Sequence, residues 1–185
     1  MLSLREKRER VEKIGRIKSL ITDIKDFPKK GVMFKDISPL LADSEAFRDT
    51  ILYLQNMCEV PDFYLCMDAR GFLFGAPMAY NNDKSGLLMC RKKGKLPGEC
   101  SSKSYKLEYG ESALEIRKGI APRGSKIVIV DDLCATGGTL LAAIDLCKDL
   151  GLEVLCCLCV IDLKDLGGSS KLREKGIKFE SLITY

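Results

Sequence analysis

Two adjacent carboxylates, Asp131 and Asp132, stand just ahead of a run of small residues, Ala135-Thr136-Gly137-Gly138-Thr139. Ionised carboxylates are strong hydrogen-bond acceptors, and a pair aimed at one place suits the vicinal hydroxyls of a ribose. Gly137 and Gly138 can take positive φ, which lets several backbone N–H groups converge on one point, and the threonine hydroxyls add donors beside them. A helix starting there presents its positive end, so the stretch makes a cup for a phosphate. One ribose and one phosphate fit it. The competing reading, a buried strand and a helix capped by Thr139, needs one polar residue and leaves the two aspartates and the glycines without a use.

The elements that must position this stretch are legible on either side of it. Ile127-Val128-Ile129-Val130 is a β-branched run suited to a strand covered on both faces of a parallel sheet. Consecutive side chains of a strand point to opposite faces, so the strand is expected to end at the acidic pair, where both carboxylates can turn to one target. A helix over 140–150, ended by Gly151, follows. Strand, acidic pair, glycine turn and helix make a crevice at the carboxyl end of a sheet strand.

A second strand end has the same plan. Phe63 to Met67 reads as a strand, then comes Asp68-Ala69-Arg70-Gly71, and a helix is expected from Phe72 toward Asn81. Arg70 and the amides around Ala69 are fit to hold pyrophosphate. A short strand, Gly86 to Cys90, leads into Arg91-Lys92-Lys93-Gly94-Lys95, a basic cluster that is either a solvated face or a partner for a polyanion.

Around these lie the loops. Residues 26–39 hold two prolines and a glycine and read as a loop or hood. There Phe34 could stack on a planar ring or plug a core, and backbone groups near Met33 could bond a ring edge. Glu99 to Ser104 is polar, lacks periodicity and reads as mobile. Tyr105, Leu107 and Tyr109 alternate, as do Leu114 and Ile116, so a β-hairpin flap is expected, fit to exclude water from a site. Residues 2–24 read as an amphipathic helix with Val11, Ile14, Ile17, Ile21 and Ile24 on one side. Asp43 or Ser44 is placed to cap a helix whose apolar face is Phe47, Ile51, Leu54 and Cys58. Val154 to Ile161 is a further buried strand, 162–178 a polar connection with no site residue, and Phe179 to Tyr185 a last short strand.

Composition narrows the chemistry. The chain has 185 residues, enough for one domain with a substantial core, and a net charge of +4. That mild positive charge favours anions, and no basic stripe interleaved with aromatics marks a nucleic-acid surface. There is no histidine, which excludes His-based triads and His-ligated metals. The nine cysteines are an odd number, and the charged N-terminus is unlike a signal peptide, so reduced thiols in the cytoplasm are expected. No apolar run is long enough to cross a membrane. Cys156-Cys157-Leu158-Cys159 lies in an apolar run and reads as core packing, whereas Cys134 is expected to be accessible and open to oxidation.

Several stretches, in order along residues 26–162, carry a family resemblance. IVIVDDLCATGGT resembles the signature of the type I phosphoribosyltransferases, and DARGFLFG resembles their pyrophosphate loop. FPKKGVMFKDIS, RKKGKLPG and the flap's Glu108-Tyr109-Gly110 are similar to the adenine branch of that family. The resemblance implies an α/β fold: a central, mostly parallel twisted sheet flanked by helices, with an N-terminal base-binding hood and a flexible hairpin flap. Residues 1–40 would be helix and hood and 41–185 the core, with the flap at about 94–117, all in one structural domain.

It also implies the site. Asp131 and Asp132 would meet the ribose hydroxyls, and Ala135, Thr136, Gly137, Gly138 and Thr139 would wrap the 5-phosphate. Ala69, Arg70, Arg91 and Lys95 would hold pyrophosphate, the last two with reach to a neighbouring subunit. Met33, Phe34 and Lys35 would bind adenine, with Tyr109 on the flap and Glu108 assisting proton movement on the purine. Two positions depart from the adenine branch, which more commonly has arginine at Lys35 and serine at Ala69.

The implied reaction is adenine plus phosphoribosyl pyrophosphate to AMP plus pyrophosphate, with inversion at the anomeric carbon, a step of purine salvage. Magnesium would be bound mainly through substrate oxygens and water, with no metal site of the protein's own. A homodimer in the cytoplasm, without nucleic-acid or membrane partners, completes the expectation. A transferase for another base, or a non-catalytic sensor of phosphoribosyl pyrophosphate, is the alternative; the presence of Arg70, Lys95 and Glu108 speaks against the sensor.

Overall fold

Valine- and isoleucine-rich runs buried on both faces need a sheet covered on both sides, and the computed structural model contains one. It describes residues 3–106 and 111–185. The chain divides into two compact units, Met1–Tyr53 and Leu54–Tyr185.

In the first unit, helix α1 (Leu4–Ser19) opens on a capping box: Ser3 accepts from the Glu6 N–H while the Glu6 carboxylate accepts from the Ser3 N–H. The helix is shorter than the apolar periodicity suggests. Residues 22–25 form a strand, β1 (Thr22–Lys25), antiparallel to β2 (Met33–Asp36). The hood is therefore closed by regular ladder hydrogen bonds, because Pro28 and Gly31 make a turn between two short β-compatible runs. Helices α2 (Ser38–Ala42) and α3 (Ser44–Gln55) follow. The Asp43 carboxylate caps α3 by accepting from the Ala46 N–H at 2.9 Å.

The second unit is built on a seven-stranded sheet. Its strands are β3 (Phe63–Met67), β4 (Gly86–Lys92), β5 (Cys100–Lys106), β6 (Glu111–Arg117), β7 (Lys126–Cys134), β8 (Glu153–Asp162) and β9 (Phe179–Thr184). Their order is β5-β6-β4-β3-β7-β8-β9. β4, β3, β7, β8 and β9 run parallel, and the β5–β6 hairpin adds antiparallel to β4. Helix α4 (Gly71–Tyr80) connects β3 to β4, and α5 (Gly138–Asp149) connects β7 to β8. The two connections leave neighbouring strands in opposite directions across the sheet. Right-handed crossovers therefore place α4 and α5 on opposite faces, and the carboxyl ends of β3 and β7 flank the switch point where such sheets bind ligands.

Three expectations are corrected here. β5 includes Cys100–Ser104, which the sequence suggests is a mobile polar loop; its residues pair with β6 from Cys100↔Arg117 to Lys106↔Glu111. The connection 162–178 contains a 3-10 turn (Lys164–Leu166) and helix α6 (Gly168–Glu174), whose anchor Leu172 is fully buried. Cys134 is 1% exposed, and burial pushes its thiol up to about 12, so it is shielded and protonated. Cys156, Cys157 and Cys159 are buried in the core, as the apolar run suggests. Among the described residues no group of three or more ligating side chains is placed to hold a metal, and no helix is long and apolar enough to cross a membrane.

Candidate active site

The sheet's register explains how two consecutive aspartates reach one space. The β3–β7 pairing ends at Cys66↔Val130, because β3 turns away at Asp68. β7 continues on its other edge, pairing Asp131↔Cys159, Leu133↔Ile161 and Cys134↔Asp162 with β8. The acidic pair thus lies inside the strand and not at its end, which corrects the expected boundary. Its residues still reach the crevice, because the edge that β3 would cover is open there.

A cleft of about 310 Å³ occupies that opening. Asp68, Ala69 and Arg70 line it from the end of β3, and Asp131, Asp132 and the whole loop from Leu133 to Leu140 line it from the end of β7. Lys92, Tyr105 and Leu114 complete the wall. Arg70 Nε stands 2.9 Å from Asp132 Oδ2, and the Asp132 N–H donates to Asp131 Oδ1 at 2.9 Å.

Burial pushes both carboxyls above their ordinary range. For Asp131 the neighbouring Asp132 charge pushes the same way, while the Arg70 guanidinium draws Asp132 back in part. A pair held in this state is short of hydrogen bonds to its charged form. Polyol hydroxyls entering the cleft would supply them.

Beside the acids, the loop is an anion receptor by its backbone. Gly137 has φ 81°, a conformation that β-carbon-bearing residues rarely take, and it is the N-cap of α5 without any side-chain cap. Among the described residues the N–H groups of Ala135, Thr136 and Gly137 have no hydrogen-bond acceptor. Unpaired donors at a helix start beside a polar cleft are suited to phosphate oxygens.

The turn after β3 is positioned by close packing. A Cβ on Gly71 would lie 2.5 Å from the Val130 carbonyl oxygen and 3.2 Å from Asp131 Cα. Only glycine lets the start of α4 approach β7 this far, and that approach brings Arg70 to Asp132.

Not every expected site residue meets in this cleft. Arg91 donates from Nε to Asp68 Oδ2 at 3.1 Å and from Nη1 to the Lys95 carbonyl at 3.2 Å. Lys95 is exposed, and its backbone N–H donates to the buried Glu115 carboxylate at 2.9 Å. Neither side chain lines the cleft, whereas Lys92, from the same basic cluster, does. In the first unit, Met33 is half exposed, and Phe34 meets Phe27 edge-on at 5.0 Å and 73°. Lys35 is buried and pairs with Asp23 Oδ1 at 2.6 Å. Glu108 and Tyr109 fall outside the described residues. Strand β5 is tied to α5, with Lys103 Nζ 3.9 Å from Asp145 and 3.8 Å from Asp149.

An acidic pair, an arginine and an amide-lined loop at a parallel-sheet switch point are the equipment of a protein class that takes phosphorylated sugars. The phosphoribosyl transferase domain family matches residues 52–180. Proteins named adenine phosphoribosyltransferase are 46% identical in a Marinomonas species, covering 91% of this chain and 94% of that protein. One in Mycoplasmopsis pulmonis is likewise 46% identical, over 90% of this chain and 96% of its own. Among solved structures, adenine phosphoribosyltransferase from Thermoanaerobacter pseudethanolicus superposes with a TM-score of 0.86 at 43% identity, over 93% of this chain and 99% of that one. The Saccharomyces cerevisiae enzyme, complexed with D-2,5-dideoxy-2,5-imino-altritol 1,6-bisphosphate and adenine, gives 0.85 at 33% identity, covering 94% and 99%. The chain belongs to the phosphoribosyltransferases and, within them, to the adenine phosphoribosyltransferase family.

Proposed function

We propose that the protein transfers the phosphoribosyl group of phosphoribosyl pyrophosphate to adenine, releasing AMP and pyrophosphate, as a purine-salvage enzyme. The observation that carries this reading is the union, in one cleft, of the Asp131–Asp132 pair, Arg70 and the unpaired N–H groups of Ala135 to Gly137. The 5-phosphate takes those N–H groups together with Gly138, Thr136 and Thr139. The ribose hydroxyls donate to Asp131 and Asp132, and the pyrophosphate lies toward Ala69 and Arg70.

The bond from the anomeric carbon to the pyrophosphate oxygen breaks, and the electron pair leaves with the oxygen. Positive charge then spreads over the ribose ring, where two carboxylates stabilise it. Adenine attacks the anomeric carbon from the opposite face, forming the carbon–nitrogen bond with inversion. Its ring proton passes to Glu108, while Met33, Phe34 and Lys35 recognise the base and Tyr109 belongs to the flap that excludes water. Arg91 and Lys95, which do not line this cleft, serve a neighbouring subunit of a homodimer.

Magnesium is the proposed cofactor. Paired carboxylates, without a third ligating side chain beside them among the described residues, suit a hydrated ion that keeps water and substrate oxygens in its shell. Bound with the substrate, such an ion would neutralise pyrophosphate charge and so ease its departure. The partners are thus adenine, phosphoribosyl pyrophosphate and AMP, and the protein acts in the cytoplasm without nucleic acid or membrane.

The test is incubation with phosphoribosyl pyrophosphate, magnesium and, separately, adenine, guanine, hypoxanthine or orotate, with nucleotide products separated by chromatography. AMP as the dominant product is expected. A nucleotide of another base formed faster than AMP reassigns the substrate, and no nucleotide from any base removes the catalytic reading.

A further inference from the structure

The anion loop is held from behind by a segment in which the sequence shows no chemistry. After β8 the chain turns through Leu163 to Gly167 into α6 and takes three successive carbonyls of the loop. The Leu163 N–H donates to Cys134 O at 2.9 Å, and the Gly168 N–H donates to Ala135 O at 3.0 Å. Lys171 Nζ makes a longer bond, 3.4 Å, to Thr136 O.

In a planar trans peptide the C=O of one residue and the N–H of the next point in opposite directions. Drawing the carbonyls of residues 134, 135 and 136 backward therefore sends the N–H groups of 135, 136 and 137 the other way. Among the described residues these N–H groups have no acceptor, and their residues line the cleft.

The contact leaves no room for a side chain at 168. A Cβ there would lie 2.6 Å from Gly137 N and 2.9 Å from Cys134 Sγ, and closer still to the Ala135 carbonyl oxygen. Two of those three atoms are backbone, so the loop itself would have to move. The segment is fixed in its turn: Leu172 is fully buried, and the Arg173 guanidinium lies 5.4 Å from the Phe179 ring and donates to Phe179 O at 3.4 Å.

We propose that Gly168, with Leu163 and Lys171, is a positioning brace that aims the loop's N–H groups at the 5-phosphate. None of the three needs to touch substrate. The proposal rests on the reading of the loop as a phosphate receptor, and it assigns a role to a part of the chain that lies outside the cleft.

Gly168→Ala tests it. Calorimetric titration of the full-length protein with ribose 5-phosphate probes the loop, and titration with magnesium pyrophosphate probes the Arg70 side. Ribose 5-phosphate affinity is expected to fall about tenfold, the loss that follows from misaiming one or two hydrogen-bond donors, while pyrophosphate affinity holds within about twofold. Steady-state kinetics should show the KM for phosphoribosyl pyrophosphate rising more than kcat falls. Equal losses for both ligands, or no loss for ribose 5-phosphate, overturn the proposal.

Two further variants guard the result. Ser169→Ala alters a buried neighbour whose hydroxyl has no hydrogen-bond partner among the described residues, and should leave both affinities unchanged. A loss there as large as in Gly168→Ala would mean general packing of α6 and would also overturn the brace. Lys171→Met removes one contact from an exposed side chain, and it decides the matter if Gly168→Ala does not fold: a loss of about twofold confined to ribose 5-phosphate supports the brace, and unchanged binding overturns it. Should the unaltered protein fail to bind ribose 5-phosphate at all, the receptor reading falls and the brace with it.

Discussion

Two strands lie side by side in the sheet, β3 and β7, and their carboxyl-end turns hold charge by different means. The turn after β3 works through side chains: Arg70 reaches Asp132, and Asp68 receives Arg91. The loop after β7 has no charged side chain from Leu133 to Leu140 and offers backbone N–H groups set by packing. A guanidinium on a flexible stem can follow a leaving group as it departs. An amide fixed between a strand and a brace cannot move, and it suits the end of the substrate that stays in place. On the proposed reading of the site, mobile charge serves the departing pyrophosphate and fixed dipoles the retained 5-phosphate.

The largest way to break this comparison is Arg70→Ala. Loss of a charge-assisted contact that strengthens as the leaving group gains charge should lower kcat/KM about a hundredfold, with ribose 5-phosphate binding little changed by calorimetry. A fall of less than about threefold would mean that the β3 turn does not carry the charge.

Gly71→Ala addresses how that turn is placed. With the Val130 carbonyl 2.5 Å from the added Cβ, α4 must shift off β7, at a cost of about 2 kcal/mol in stability by urea unfolding. Unfolding midpoints within error of the parent would show that the approach of α4 to β7 is loose.

Asp131→Asn sharpens the comparison at the acidic pair and has the smallest effect on the fold. Asp131 has a folded pKa raised by burial and by Asp132, so the folded state binds more protons than the unfolded one. Stability from this group is present at low pH and is lost as pH rises through the folded pKa, above the usual carboxylate range. The asparagine variant should therefore be the more stable protein at neutral pH, by about 1 kcal/mol, with the advantage vanishing in acid. The same substitution should cost activity, since it removes a carboxylate proposed to meet the ribose. If the stability difference grew toward acid, the sign of the shift would be wrong.

Much of the fold and part of the site could be read along the chain, for reasons that differ residue by residue. β3 was legible at both ends because Phe63 to Met67 is an uninterrupted apolar run between an acidic residue and a turn. The acidic pair and the glycine loop were legible because their chemistry is local and contiguous. β5 was not, since Ser101, Ser102 and Ser104 have weak strand propensity and are held by pairing with β6. Cys134 looked accessible because the segment that covers it, around Gly168, lies some thirty residues further on. Within the basic cluster, no signal in the sequence separates Lys92, which lines the cleft, from Arg91 and Lys95, which do not. Facing is set by where β4 pairs with β6, Lys92 opposite the cleft-lining Leu114.

The sequence alone determined which chemistry each stretch offers: carboxylates suited to hydroxyls, glycine-shaped backbone suited to a phosphate, and arginine at a strand end suited to a second anion. These follow from residue types at short spacing, where covalent connection fixes proximity. Only the tertiary structure decided how Asp131 and Asp132 share one space, which depends on β3 ending at Asp68 and leaving an edge of β7 open. It also decided that the loop's carbonyls are drawn back by Leu163, Gly168 and Lys171. Those contacts join residues about thirty apart, and their geometry depends on where two strands and a short helix come to rest.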